Sequence, residues 1–136
     1  MGVALNTGDE YFEIGAASFF YSFFSNIVIH LEDRSWGSKY PHVMRKLYSD
    51  GLTFEELENA KNELYEIKKG FQKITPDEVI WDCKDLTKQA PWGKNISEDI
   101  TDLSNYFVTS DGKDLFEVME EALNMAIKLK KSIVIR

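Results

Sequence analysis

The stretch Ala16-Ala17-Ser18-Phe19-Phe20-Tyr21-Ser22-Phe23-Phe24-Ser25-Asn26-Ile27-Val28-Ile29-His30-Leu31 carries the densest apolar pattern in the chain. Phe20, Phe23, Phe24, Ile27, Val28 and Leu31 recur at helical spacing, while Ser18, Ser22, Ser25 and Asn26 fall on the opposite side. An amphipathic helix is therefore expected, with the aromatic stripe in the core and the small polar residues facing water. His30 and the run Glu32-Asp33-Arg34 mark its end. The same polar residues make the stretch too short and too polar to span a bilayer.

Working outward, Tyr11-Phe12-Glu13-Ile14 before Gly15 reads as a short strand. Trp36 to Tyr40 reads as a loop, and Pro41 suits the first turn of a short helix that ends at a left-handed Gly51. Thr53-Phe54-Glu55-Glu56 is a capping box. Phe54, Leu57, Ala60, Leu64, Ile67 and Phe71 then predict a helix running to about Gly70. Thr75-Pro76-Asp77-Glu78 can cap another turn, but Val79-Ile80-Trp81 reads more as a buried strand, and periodicity does not choose between them. Residues 83–105 are polar and irregular, a length that in a compact domain carries function or hides short helices, such as one over Ser97–Leu103. Tyr106-Phe107-Val108-Thr109 reads as a strand. Leu115, Val118, Met119, Ala122, Ala126 and Leu129 form the stripe of a last helix, followed by a strand at Ser132-Ile133-Val134-Ile135.

The order β–α–α–α–β–loop–β–α–β predicts an α+β fold: a small mixed β-sheet packed with about four helices, in one domain over residues 1–136. Phe20, Phe24, Ile27, Leu64, Trp81, Leu115 and Met119 are the expected core. A hydrophobic share of 43% with 29% charged residues excludes a disordered or collagen-like chain. One cysteine, Cys83, cannot form an internal bridge, and no positive segment precedes an apolar run at the start, so a cytoplasmic location is expected.

Sixteen basic residues against 23 acidic ones leave a net charge of −7. Residues 77–121 hold twelve acids against four bases, a net of −8, so the remainder is nearly neutral. Such a region repels a phosphate backbone and attracts a basic protein, which argues against direct nucleic-acid binding. The chemistry is sparse. His30 and His42 stand in no metal spacing, Cys83 reads as a small core residue, and no GxSxG, Walker or GxGxxG pattern occurs. The pairs Asp99/Asp102 and Asp111/Asp114 lack the ligand pattern of a calcium loop and read as helix-start carboxylates. No catalytic, metal or cofactor-binding residue is assigned. Trp36 and Trp92, each before a glycine in a loop, either plug the core or stand at an interface, with the plug slightly favoured.

A longer string narrows the reading. Val79-Ile80-Trp81-Asp82, Asp85-Leu86-Thr87-Lys88-Gln89-Ala90-Pro91-Trp92-Gly93 and the run from Asn95 through Gly112 resemble the Imm70 family of bacterial immunity proteins. Ser18 to Ser25 and Gly37-Ser38-Lys39-Tyr40-Pro41 agree with it as well. The resemblance implies a non-enzymatic cytoplasmic antidote without a cofactor, from a polymorphic toxin or contact-dependent growth inhibition system. Such an antidote binds and neutralises the C-terminal toxin domain of its cognate secreted effector. With the acidic region set beside it, a basic toxin would be met by Trp92, Glu98, Asp99, Asp102, Asp111, Asp114, Glu117 and Glu121. The competing readings are an acidic regulatory module unrelated to toxins, or a small hydrolase using the Asp99, Asp102, Asp111 and Asp114 carboxylates, with or without a metal. The surface around His42, Arg45 and Lys46 is the alternative contact region.

Overall fold

In the computed structural model, which describes residues 2–136, the aromatic stripe of the first helix sits where the periodicity places it. Helix α1 spans Ala17–Asn26 and widens into a π-helical turn over Ile27–Leu31. Phe23, fully buried, packs edge-on against Phe24, Phe107, Phe116 and the ring of Phe71 at centroid distances of 5.3–5.7 Å. Four aromatic neighbours in tilted geometry make this ring the hub of one contiguous core. Phe20, Phe24, Ile27, Leu64, Leu115 and Met119 are all buried there as expected. Trp81 is only half-buried and packs against the edge of that core.

The sheet has three strands in the order β2-β1-β3, antiparallel throughout: β1 Gly2–Asn6, β2 Tyr11–Ala16 and β3 Val134–Ile135. The fold is α+β. The central strand β1 is the element the sequence pattern passed over. Its apolar part is short, yet Ala4 and Leu5 are buried and Leu5 stands opposite Phe12 on one side and Ile135 on the other. The hairpin turn is closed by Asn6, whose side-chain oxygen accepts from the Gly8 N–H at 2.6 Å. A register shift between Val3 and Ala4 faces Gly15, whose φ of +141° only glycine adopts without strain.

A π-helix over His42–Leu47 follows the loop, and Gly51 indeed takes a left-handed φ of +97° after it. A side chain there would collide with the Ile133 carbonyl, 2.5 Å from an ideal Cβ. The capping box at Thr53 is present, with a short 3-10 turn leading into α2, Leu57–Phe71. Helix α3, Leu115–Leu129, packs on α2 and on β2.

Three expectations are corrected. Val79-Ile80-Trp81 is irregular, leaving a 3-10 turn over Pro76–Glu78 and bending at Trp81, and belongs to no sheet among the described residues. Tyr106–Thr109 contributes a single bridge, Val108 to Asp114, instead of a strand. Ser97–Leu103 forms turns and no helix. A fourth correction explains the first. Ser22, Ser25 and Asn26 are fully buried, not solvated. The Ile80 N–H donates to Asn26 Oδ1 at 2.8 Å, while Asn26 Nδ2 and Ser22 Oγ donate to the Ile80 carbonyl at 2.8 and 2.6 Å. The Cys83 N–H donates to Ser25 Oγ at 3.0 Å. Side chains of α1 thus supply the partners that a neighbouring strand would give.

Two unfolding measurements check this architecture. Phe24→Ala should lower stability by about 3–5 kcal/mol, the usual cost of removing a buried aromatic ring. Asn26→Ala should cost about 1–3 kcal/mol by stranding the Ile80 backbone, and hydrogen exchange at the Ile80 amide should accelerate in that variant by more than at the other protected amides.

Candidate functional site

The acidic residues singled out by charge divide into two groups with different surroundings. The first lies where α3 begins. Ser110 N–H donates to the Ile14 carbonyl at 3.0 Å and so fixes the turn 109–113 against β2. Inside that turn Thr109 Oγ1 donates to Asp111 Oδ1 at 2.5 Å, and the Lys113 ammonium lies 3.8 Å from the other carboxylate oxygen. Asp114 is the N-cap of α3, its side chain accepting from the Phe116 N–H at 2.9 Å. Beyond it Glu117, Glu120 and Glu121 stand exposed along the outer face of the helix with Asn124 and Lys128. Glu121 and Asp111 also line a shallow groove of about 220 Å³ with Tyr11, Phe12, Lys113, Val118 and Glu13, an acid the charge reading had not placed there.

The second group sits on the long loop. Ser97-Glu98-Asp99-Ile100 is a turn closed by the Ile100 N–H to the Ser97 carbonyl at 3.1 Å, and Asn105 Nδ2 holds it by donating to the Asp99 carbonyl at 2.9 Å. Glu98 and Asp99 point outward from it as exposed residues. Asp102 is half-buried and turned into its own backbone, accepting from the Ser104 N–H at 2.8 Å, the Ser104 hydroxyl and the Thr101 hydroxyl. The carboxylates of Asp102 and Asp114 are thus committed to local hydrogen bonds. The helix-start role holds for Asp114, while Asp99 and Asp102 serve turns.

Trp92 is neither a core plug nor loose. Its Nε1–H donates to the Tyr106 hydroxyl at 2.8 Å and its ring meets Trp81 edge-on at 5.5 Å, yet 40% of it stays exposed. Burial raises the Tyr106 pKa, with the Trp92 hydrogen bond pulling the other way, so the hydroxyl remains protonated. Trp36 does plug the core edge: it packs against Tyr48 at 4.9 Å and donates to the Met44 carbonyl at 2.7 Å.

Other titratable groups have structural partners. His30 Nε2 lies 2.8 Å from the Glu78 carbonyl. His42 Nδ1 lies 2.6 Å from Glu63, whose carboxylate also accepts the N–H groups of His42 and Val43 and so caps the π-helix that begins there. Arg45 donates to the Trp36 carbonyl, and the Lys46 ammonium lies 3.7 Å from Glu56. Cys83 Sγ is 3.2 Å from the Tyr21 hydroxyl, whose pKa is raised by burial first and by that contact second. Glu32, which the sequence pattern treated as a helix end, is buried and accepts three backbone N–H groups, from Gly37, Lys39 and Tyr40, at 2.9–3.0 Å. Among the described residues no three His, Cys, Asp or Glu side chains converge where they could hold a metal ion, and no helix is long and apolar enough to cross a membrane.

The chain is thus an α+β protein in which the acids of residues 97–121 either brace its own turns or stand exposed along α3 and the 97–100 turn. Residues 5–135 match Immunity protein 70, and the chain belongs to that family, Imm70, of immunity proteins directed against toxins. A 63-residue stretch is also 38% identical to part of an aspartate–tRNA(Asp) ligase of Pyrococcus abyssi and 36% identical to that of Pyrococcus horikoshii. It covers 46% of this chain but 14% of each ligase, so the chain spans a small part of these curated relatives. No solved structure matches the chain.

One titration tests the turn at the start of α3. The Thr109 hydroxyl, foremost, holds the Asp111 carboxyl below the ordinary aspartate value of 3.8. A lowered folded-state pKa means that the contribution to stability is present above 3.8 and is lost as pH falls through the folded value. Side-chain carboxyl NMR should therefore show Asp111 titrating below 3.8, and Thr109→Val should raise it.

Proposed function

We propose that this protein is a cytoplasmic antidote that neutralises the C-terminal toxin domain of a secreted effector, of the polymorphic or contact-dependent growth inhibition kind, by stoichiometric binding and without turnover. The observation that carries the reading is the family match over residues 5–135. The regional charge supports it: a net of −8 over residues 77–121 suits a basic toxin domain. With Asp102 and Asp114 committed to their own backbone, the direct contacts fall to Trp92, Glu98, Asp99, Asp111, Glu117 and Glu121. Asp102 and Asp114 then contribute by shaping the turns that present them.

Electrostatic steering of this kind makes association fast, up to about 10⁸ M⁻¹s⁻¹ at low salt, and steeply dependent on ionic strength. The test is co-expression with the toxin domain encoded by the neighbouring upstream gene. Survival of the host and one-to-one co-purification are expected. Reversal of Glu117 and Glu121 to lysine should slow association and flatten the salt dependence. Unchanged affinity and salt slope on reversal of Glu98, Asp99, Glu117 and Glu121 together would move the contact to the surface around His42, Arg45 and Lys46. Purified protein should leave RNA, DNA, nucleotides and simple esters intact; hydrolysis lost on Asp102→Ala would overturn the reading.

A further inference from the structure

The long loop builds an apolar furrow that the charge pattern does not reveal. Phe19, Trp92, Ile96, Ile100, Tyr106 and Val108 line a groove of about 230 Å³, with Asn95 and Ser97 at its side. On the other side of Ile96 and Tyr106 a second groove of about 270 Å³ takes in Leu86, Pro76 and Val79. Leu86, Trp92 and Val108, exposed by 49%, 40% and 45%, are thus gathered around one ridge. Exposed apolar side chains collected in grooves mark interaction surfaces, whereas scattered ones do not.

The two grooves differ in charge. Lys88 and Lys94 border the second, while no basic residue lines the first. The first is flanked by acids: Ser97 and Ile100, which line it, are the ends of the turn whose two middle residues are Glu98 and Asp99. That turn is held by Asn105, and the Trp92 ring is held by Tyr106 and Trp81. Little side-chain freedom remains to be lost on docking, which is the property of a pre-organised anchor site.

We infer that the Trp92 groove receives one segment of the toxin domain, a large apolar side chain with an arginine or lysine beside it. The apolar group fills the space between Trp92, Ile96 and Val108, and the cation meets Glu98 and Asp99 at the lip. This rests on the antidote reading and specifies its contact. It also gives the energetic centre of the interface to the loop, leaving the acids of α3 to steer the approach.

The experiment uses the full chain and the toxin domain encoded upstream. Asn95→Trp fills the groove from an exposed position, and Val108→Asp places a charge in it, also from an exposed position. With thermal unfolding unchanged, each should weaken binding by at least about 30-fold, the loss that marks a hot spot. Glu98→Lys with Asp99→Lys should weaken it about tenfold or more. In the wild-type protein, the Trp92 indole N–H and Val108 methyl NMR signals should shift on titration with the toxin domain. Wild-type affinity in both groove variants, or unshifted Trp92 and Val108 signals in a formed complex, overturns the groove while leaving the antidote reading intact. Failure of the wild-type protein to bind or protect overturns both.

Discussion

Asn26 is the residue on which the arrangement of the loop depends. Its amide pairs with both backbone groups of Ile80, as a neighbouring strand would, and the Ser22 hydroxyl adds a second bond to the carbonyl. Helix α1 therefore packs on two sides: aromatic rings face the core and hydroxyl and amide groups face an irregular segment. Buried polar side chains are tolerated only when paired, and here the pairing is mainly with one distant stretch of backbone, with one further bond from Asn26 Nδ2 to the Ser22 carbonyl of its own helix. The far end of the loop is closed by the Leu103 N–H to the Ile74 carbonyl at 3.0 Å. Residues 83–102 are held at both ends, and a long segment without regular structure keeps a defined shape.

Carboxylates do much of the structural work that secondary structure leaves undone. Glu32 gathers three N–H groups of a loop, Glu63 caps a π-helix, Asp102 closes a turn and Asp114 opens α3. Each satisfies backbone donors that would otherwise be stranded at an element's end or in a buried loop. These carboxylates keep their charge and contribute to the net of −7 that attracts a cationic partner, but they are not free for direct contact. Within residues 97–121, the exposed carboxylates left for a partner stand on the outer face of α3 and on the 97–100 turn.

The elements legible in the sequence were those decided by periodicity. The capping box at Thr53 with the stripe from Leu57 to Phe71, and the stripe from Leu115 to Ala126, both became the helices they spell. Hydrophobic patterning is blind to hydrogen bonds made to distant backbone, and so Ser22, Ser25 and Asn26 read as a wet face. For the same reason Val79-Ile80-Trp81, apolar throughout, read as a strand although side chains and not a strand complete it. β1 escaped because its apolar part is three residues long, though the turn residues Asn6-Thr7-Gly8-Asp9 facing Tyr11–Ile14 were a usable signal. At the candidate site the acids were visible as charge. The groove was not, because Phe19, Ile96, Ile100 and Val108 meet only through the loop's tertiary path.

The sheet order carries a kinetic consequence. Central strand β1 has β2 beside it in sequence, but its second neighbour is the distant β3, with Leu5 opposite Ile135. Closing a chain loop of that span costs about 4 kcal/mol in entropy beyond the fixed cost of closure, and contacts so distant in sequence slow folding. Until residues 134 and 135 dock, one edge of β1 has no partner, and an open edge is a template for pairing with other chains. The sheet is therefore completed only by the docking of residues 134 and 135, and conditions that delay this step lengthen the time in which the bare edge of β1 can pair with another copy.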